Sequence, residues 1–302
     1  MADLFDTIVA PAGSYGCEIW STPYLGRWSL HDCSLQRYQA SVYKQLLGTA
    51  RATGNLLVFF EMGKLPMQVH WLFRTINYWN NLVADKADSE LLRRTLRANV
   101  HFGLHEEHTC WTKELQAGLS FVRPDVDWRT HLLELRPIEG ARAMTRVAAT
   151  LFAERMLQYD QDPTQPACPN RQHHTYGRLM HVFPEGEPLA VRAPEYIRHT
   201  TQLGKKQAVA RCRLSGARIR ANQMHGIPYE ERTCQRCGDG VDNEHHMLLH
   251  CTHPALMTAR NQHPSLRFDA DVRDLMTAAY NPDSIDDLVN CISEMMTCLG
   301  AS

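Results

Sequence analysis

A chain of 302 residues, 44% hydrophobic and 22% charged, is long enough for one large domain or two ordinary ones and too apolar for disorder. Its longest purely apolar run, Leu56–Phe60, falls far short of the roughly 20 residues a membrane span needs, and the acidic opening Met1–Asp6 has no basic flank of a secretory signal. Lys and Arg number 32 against 33 Asp and Glu, a net charge of −1, which excludes global steering toward nucleic acid and leaves only a local patch to do it. These features predict an intracellular globular protein without a membrane partner.

The predicted elements are mainly α-helical. Leu65, Val69, Leu72, Ile76, Trp79 and Val83 recur at spacings of three and four, one stripe of a long amphipathic helix with Pro66 in its first turn. Asp88-Ser89 offers an N-cap for a second helix carrying Leu91, Leu92, Leu96 and Val100. A third runs through Trp111, Leu115 and Leu119 and stops near Arg123-Pro124. A fourth, from about Ala141, carries Val147, Leu151 and Leu157. Sustained period-two alternation bounded by hairpin turns is absent from this half.

From Asp160 the pattern breaks. Pro163, Pro166, Pro169, Pro184, Pro188 and Pro194 remove donors and fix φ, which predicts a connection between modules. The expected organisation is a helical module over 1–159, a proline-rich connection over 160–200, and a second module over 201–302. That second module opens with a basic helix from Thr201 to Met224, with Val209, Cys212, Leu214, Ile219 and Met224 along one side and Gly226 and Pro228 ending it. Further helices are expected through Leu275-Met276 and from Ile285 to Met296. Charge is asymmetric: residues 192–236 hold ten Lys/Arg against three Glu, a net +7.

Ten cysteines in a long chain of this type do not suggest a disulfide framework. Cys17, Cys33, Cys110, Cys168, Cys212, Cys291 and Cys298 are scattered, mostly among apolar neighbours, where free cysteine acts as a small hydrophobe. Cys234, Cys237, His246 and Cys251 instead form C-x2-C-x8-H-x4-C, and Gly238 and Gly240 permit a tight turn after the second cysteine. Three thiolates and one imidazole close a tetrahedral shell with no open position, so one structural Zn2+ per chain is expected. His245, His250 and His253 lie nearby. His246 is the preferred ligand, because Met247, Leu248 and Leu249 then form the apolar side of a short helix beginning near Glu244.

Other clusters carry less. His101, His105, His108 and Cys110 have helical spacing without the H-E-x-x-H order, and read as a solvated polar face. Cys168 with His173 and His174 lies in the proline-rich stretch. Pro124-Asp125 with Glu134-Leu135-Arg136 echoes a nuclease P-D…E-x-K site but lacks the lysine. Neither G-x-S-x-G nor a phosphate-binding loop occurs, and no catalytic residues are assigned.

Several stretches, taken in order, resemble one family. Tyr15-Gly16-Cys17-Glu18-Ile19-Trp20 resembles the YG-x-E-x-W segment behind the polymerase core of non-LTR (LINE-type) retrotransposon reverse transcriptases. Tyr43–Gly48 resembles that family's K-x-x-L-G, and Asn55 through Glu61-Met62-Gly63-Lys64-Leu65-Pro66 its N-x5-E-x-G-x-x-P, continued by Arg74 and Tyr78-Trp79. The cysteine cluster is similar to the family's C-terminal knuckle, approached through Arg211-Cys212-Arg213-Leu214-Ser215 and Arg232-Thr233-Cys234. The resemblance implies a helical thumb and linker bundle followed by a small zinc-knuckle module that grips nucleic acid. Only fourteen residues precede Tyr15 and no F-A-D-D-like pair occurs, so this polypeptide is not expected to synthesise DNA by itself.

The expected function is therefore RNA or DNA binding, with Lys205, Lys206, Arg211, Arg213, Arg218 and Arg220 on phosphates and the knuckle orienting Arg232 and Arg236. A nuclear or nucleocytoplasmic setting and contacts with other retroelement proteins accompany this expectation. The alternative is a zinc-stabilised protein adaptor that docks through Trp71, Trp79, Trp111 and Trp128, with a metal-dependent nuclease a distant third.

Overall fold

A computed structural model describes residues 5–26, 30, 32–84, 90–106, 108–158, 191–217, 219, 226–269 and 271–300. Outside them lie Asp88-Ser89, most of the proline-rich connection with Cys168, His173 and His174, and also Arg218 and Arg220. The fold is mainly helical, as the sequence pattern predicts. The described helices of seven or more residues are α1 (Ser34–Leu47), α2 (Asn55–Glu61), α3 (Met67–Val83), α4 (Glu90–Val100), α5 (Trp111–Val122), α6 (Ala141–Gln158), α7 (Leu203–Arg213), α8 (Pro254–Gln262) and α9 (Ile285–Cys298). Among the described residues the only β-pairing is an isolated bridge between Thr233 and Val241. None of the described helices is long and apolar enough to cross a membrane.

Two compact units divide the chain, and each is discontinuous. Unit 1 is residues 1–39 with 65–154, and unit 2 is residues 40–64 with 155–302. Residues 40–64, contiguous with the first module in the sequence reading, thus belong to the unit that carries the cysteine cluster.

In unit 1 the core lies along α3. Val69, Leu72, Ile76 and Trp79 are buried as the periodicity predicts, and Trp71 is buried beside them, but Leu65 is exposed ahead of the helix and Val83 is only half-buried. Each fully buried large side chain of this kind contributes about 1.5–3 kcal/mol by leaving water. A buried indole also needs a partner for its N–H. Trp71 Nε1 donates to Ser14 Oγ (3.0 Å), Trp79 to the Arg136 carbonyl (2.9 Å), Trp111 to that of Glu18 (2.8 Å) and Trp128 to that of Arg123 (2.8 Å). Trp71, Trp79 and Trp128 are spent on this core, and Trp111 stacks on Trp79 at 6.2 Å. Gly118 lets α5 approach the Thr22–Leu25 turn, for a Cβ there would stand 2.7 Å from the Leu25 Cβ.

Two helix faces differ from the sequence reading. On α4, Leu96 and Val100 are buried but Leu91 and Leu92 are exposed, so only its later turns pack inward. On α6 the described buried residues are Met144, Ala148, Phe152 and Ala153, whereas Val147 and Leu151 are only half-buried. Phe152 offers the larger apolar surface, and the helix turns to bury it.

Unit 2 is built around α2, whose seven residues are all buried. Tyr43 packs edge-on to Phe59 at 5.7 Å. Gly63 takes φ +61°, and a Cβ there would lie 2.2 Å from the Ala193 nitrogen, so only glycine admits that crossing. The Glu61 carboxylate, with no exposure, accepts from Arg213 Nε (2.7 Å) and Nη2 (3.2 Å) and from the Tyr196 hydroxyl, while Arg213 Nη2 also donates to Tyr280 (3.2 Å). Burial and the neighbouring Glu61 charge hold the Tyr196 phenol well above its usual value, so it stays a donor. Within the connection, Glu195–His199 is helical, starting directly after Pro194.

The basic helix is shorter than the sequence suggests. It ends at Arg213, not Met224. Ser215 adopts a left-handed φ of +53°, and Gly216 N–H returns to the Arg211 carbonyl at 2.6 Å, a C-terminal stop of the kind Gly favours. Ser215-Gly216 is the stop signal, a nearer one than the Gly226 and Pro228 expected to end the helix.

Candidate metal centre

The segment 232–242 folds back on itself as a tight loop. Asp242 N–H donates to the Arg232 carbonyl (2.8 Å), Cys234 N–H to that of Gly240 (3.0 Å) and Gly238 N–H to that of Cys234 (2.8 Å). Gly238 and Gly240 supply the positive φ values, +77° and +61°, that such a turn needs. The turn aims the Cys234 and Cys237 thiols at one point, and Asp239 N–H lies 3.5 Å from the Cys237 sulfur.

A helical turn, His246–His250, brings in the other two ligands. Asn243 starts it: its Oδ1 accepts from His246 N–H at 2.7 Å, while its Nδ2 donates to the Tyr229 hydroxyl at 2.8 Å. Met247 and Leu248 bury the apolar side as expected, while Leu249, expected with them, is only half-buried. Cys251 N–H donates to the His246 carbonyl at 2.7 Å, fixing the last ligand one turn below the histidine. Arg260 of α8 closes this end by donating to the carbonyls of Met247 (3.2 Å) and Cys251, groups that a helix terminus leaves unpaired.

The four donor atoms of Cys234, Cys237, His246 and Cys251 all lie within 4.8 Å of one another. Cys234 Sγ and Cys251 Sγ are 3.8 Å apart, too far for a disulfide. Two thiolates bound at about 2.3 Å in a tetrahedron stand about 3.8 Å apart, so the spacing suits a shared ion. Cys237 Sγ sits 3.1 Å from His246 Nε2. Nε2 is thus the nitrogen turned toward the thiols, while Nδ1 faces Gly240, where a Cβ would intrude to 3.0 Å. The cluster can hold one metal ion.

The electrostatics fit that task. Burial lowers the affinity of His246 for a proton and favours the neutral ring that coordinates metal. Burial also pushes the Cys251 thiol up to about 12, so a cation must displace its proton. At Cys237 burial works the same way, but the Asp239 N–H and the neighbouring thiols outweigh it and leave the group below its ordinary value.

The basic residues expected to touch phosphates fall into two groups. Lys205 Nζ donates to Asn290 Oδ1 (2.7 Å), Lys206 Nζ to the Ile197 carbonyl (2.7 Å) and Arg211 Nε to the Gln207 carbonyl (3.3 Å), so these contacts are with neutral oxygens. Arg213 is fully buried on Glu61 and presents no surface to a phosphate. Arg232 is buried and donates from Nε to the Ile227 carbonyl (2.8 Å), and Arg236 pairs with Asp242 at 3.3 Å. The sequence reading missed the supporting residues. Asn243, three before His246, was legible as a cap, whereas nothing in the spacing marks Tyr229 or Arg260.

The nuclease-like carboxylates are each paired with a neighbouring arginine. Asp125 is held by Arg123 at 2.6 Å and Glu134 by Arg136 at 2.5 Å, each an exposed local pair. No protein-family model, curated protein or solved structure matches this chain.

Proposed function

We propose that unit 2 binds the phosphate backbone of RNA or DNA, and that its Cys3His centre holds a structural Zn2+ which orders it for that purpose. The observation that carries this is the sorting of charge around α7: Lys205, Lys206 and Arg211 donate to neutral oxygens and keep their charge for an outside anion. Zinc fits a closed set of three thiolates and one imidazole, and leaves no position for a reacting water. On this reading the centre is structural and the chain is a binding module, related to the C-terminal part of a non-LTR reverse transcriptase. Glu61 and Arg213, both within the motifs that carry that resemblance, meet as a buried pair and supply a reason for the two motifs to occur together.

The test is fluorescence anisotropy with labelled single-stranded RNA and DNA over a salt series, using the zinc-loaded chain. Affinity should fall steeply with salt, and Lys205→Ala/Lys206→Ala/Arg211→Ala should flatten the log–log slope by up to about 2, at about 0.7 per phosphate contact on a single strand. Chelating the metal should abolish binding. Salt-insensitive or undetectable binding by the zinc-loaded chain rejects the proposal. A stable protein partner captured without nucleic acid would favour the adaptor reading instead.

A further inference from the structure

Unit 1 holds a second group of side chains of metal-ligating type, outside the Cys3His cluster and unused by the proposed function. The residues are His101, His105, Glu106 and His108. His101–His105 form one helical turn of wide pitch, closed by Glu106 N–H on the His101 carbonyl (3.3 Å). His108 N–H then donates to the Phe102 carbonyl (2.9 Å), which folds the chain back toward that turn. The Glu106 carboxylate is left between two imidazoles, with His101 Nε2 3.1 Å from Oε1 and His108 Nε2 3.5 Å from Oε2. The rings of His101 and His105 are 5.2 Å apart between centroids.

We infer that this turn is a solvent-facing site for an imidazole-preferring divalent ion of the Ni2+, Cu2+ or Zn2+ class. Two histidines four positions apart on a helical turn lie on one side of it and chelate a single ion. Imidazole nitrogens with one carboxylate select these borderline ions over Mg2+ and Ca2+, which want oxygen shells. The side chains of His101, Glu106 and His108 are 59%, 41% and 67% exposed, so an ion can reach them from solvent and their rings are free of the core. Cys110, which the sequence groups with these histidines, is not a ligand. Its Sγ faces the Asn99 carbonyl at 3.3 Å and packs on Gly103, where a Cβ would lie 2.4 Å away. The donor set is three nitrogens and a carboxylate, and its exposure leaves coordination positions to water, unlike the closed thiolate centre.

The experiment starts from the full chain carrying one equivalent of Zn2+, measured by elemental analysis, and titrates Ni2+ alone by calorimetry. One further equivalent should bind in the micromolar range. Losing a mere supporting partner of a metal site costs about 10–100-fold in affinity, so His101→Gln with His105→Gln should weaken Ni2+ binding by at least about tenfold, and His108→Gln likewise. Paramagnetic broadening of the imidazole proton resonances, lost in the same variants, assigns the ligands independently. All these residues are exposed, so unchanged thermal melts should confirm folding. Absence of Ni2+ binding to the zinc-loaded chain overturns the inference, as does binding that persists undiminished in the histidine variants.

Discussion

Arg213→Met tests whether unit 2 depends on its buried ion pair. Both partners have no exposure, and the guanidinium meets the Glu61 carboxylate through two bonds of 2.7 and 3.2 Å. Opposite charges about 4 Å apart attract by about 4 kcal/mol at an effective dielectric near 20. Desolvating each ion costs several kcal/mol, so the intact pair contributes little net stability. Removing one partner is different, because the surviving charge keeps its desolvation cost and loses its compensation. Arg213→Met should therefore cost about 3–5 kcal/mol. Glu61→Leu with Arg213→Met removes both charges and should recover most of the loss, short of about 1–3 kcal/mol for the Tyr196 hydroxyl, which loses its Glu61 acceptor. Urea unfolding of the metal-loaded chain separates the units. All six tryptophans lie in unit 1, whereas release of metal to a chromophoric chelator reports unit 2. Only the metal-release curve should shift. A loss below about 1 kcal/mol for Arg213→Met, or a double variant no better than the single one, refutes the reasoning.

The two glycines of the metal loop should respond differently to alanine. Both carry the backbone cost of a left-handed residue, about 1–2 kcal/mol, but only Gly240→Ala also presses on His246 Nδ1 at 3.0 Å, since Gly238 has nothing within 4 Å. Competition against a zinc indicator should show weaker binding for Gly240→Ala than for Gly238→Ala, and equal affinities would contradict the ring placement. Thiol counting with a chromogenic disulfide gives a further check. Cys298 is exposed and should react first, while burial pushes Cys17 and Cys291 up to about 11 and 12 and keeps them protonated. Chelation should release three more thiols, and any smaller increase means that one of the cysteine ligands is misassigned.

Where periodicity and neighbouring residues set the structure, the sequence was readable. Most of the α3 stripe, the span of α5 and the short helical turn near Glu244 all follow from spacing. So does the Cys3His set, because a metal cluster written within eighteen residues needs no long-range information. What escaped depends on partners distant in the chain. Phe152 outcompetes Leu151 only once a core exists to receive it. The assignment of residues 40–64 to unit 2 depends on Glu61 finding Arg213, 152 positions away, which no local pattern reports. Arg260 is equally invisible, since it acts on main-chain carbonyls that carry no sequence signature.

The same limit governs how the basic window should be read. Counted along the chain, residues 192–236 hold ten cations against three glutamates. Folding redistributes that charge: Arg192 meets Glu195, Arg236 meets Asp242 just past the window, and Arg213 meets Glu61 from far outside it. The centre itself does not attract phosphate, because three thiolates around a divalent ion carry one net negative charge. Any grip on a polyanion must therefore come from cations whose contacts are neutral, and Lys205, Lys206 and Arg211 meet that condition. On the proposed reading the metal acts on binding only through order. It fixes the fold that keeps α7 in place, so metal removal should abolish binding and unfold the knuckle, whereas loss of the three cations should weaken binding and flatten its salt dependence with the knuckle intact.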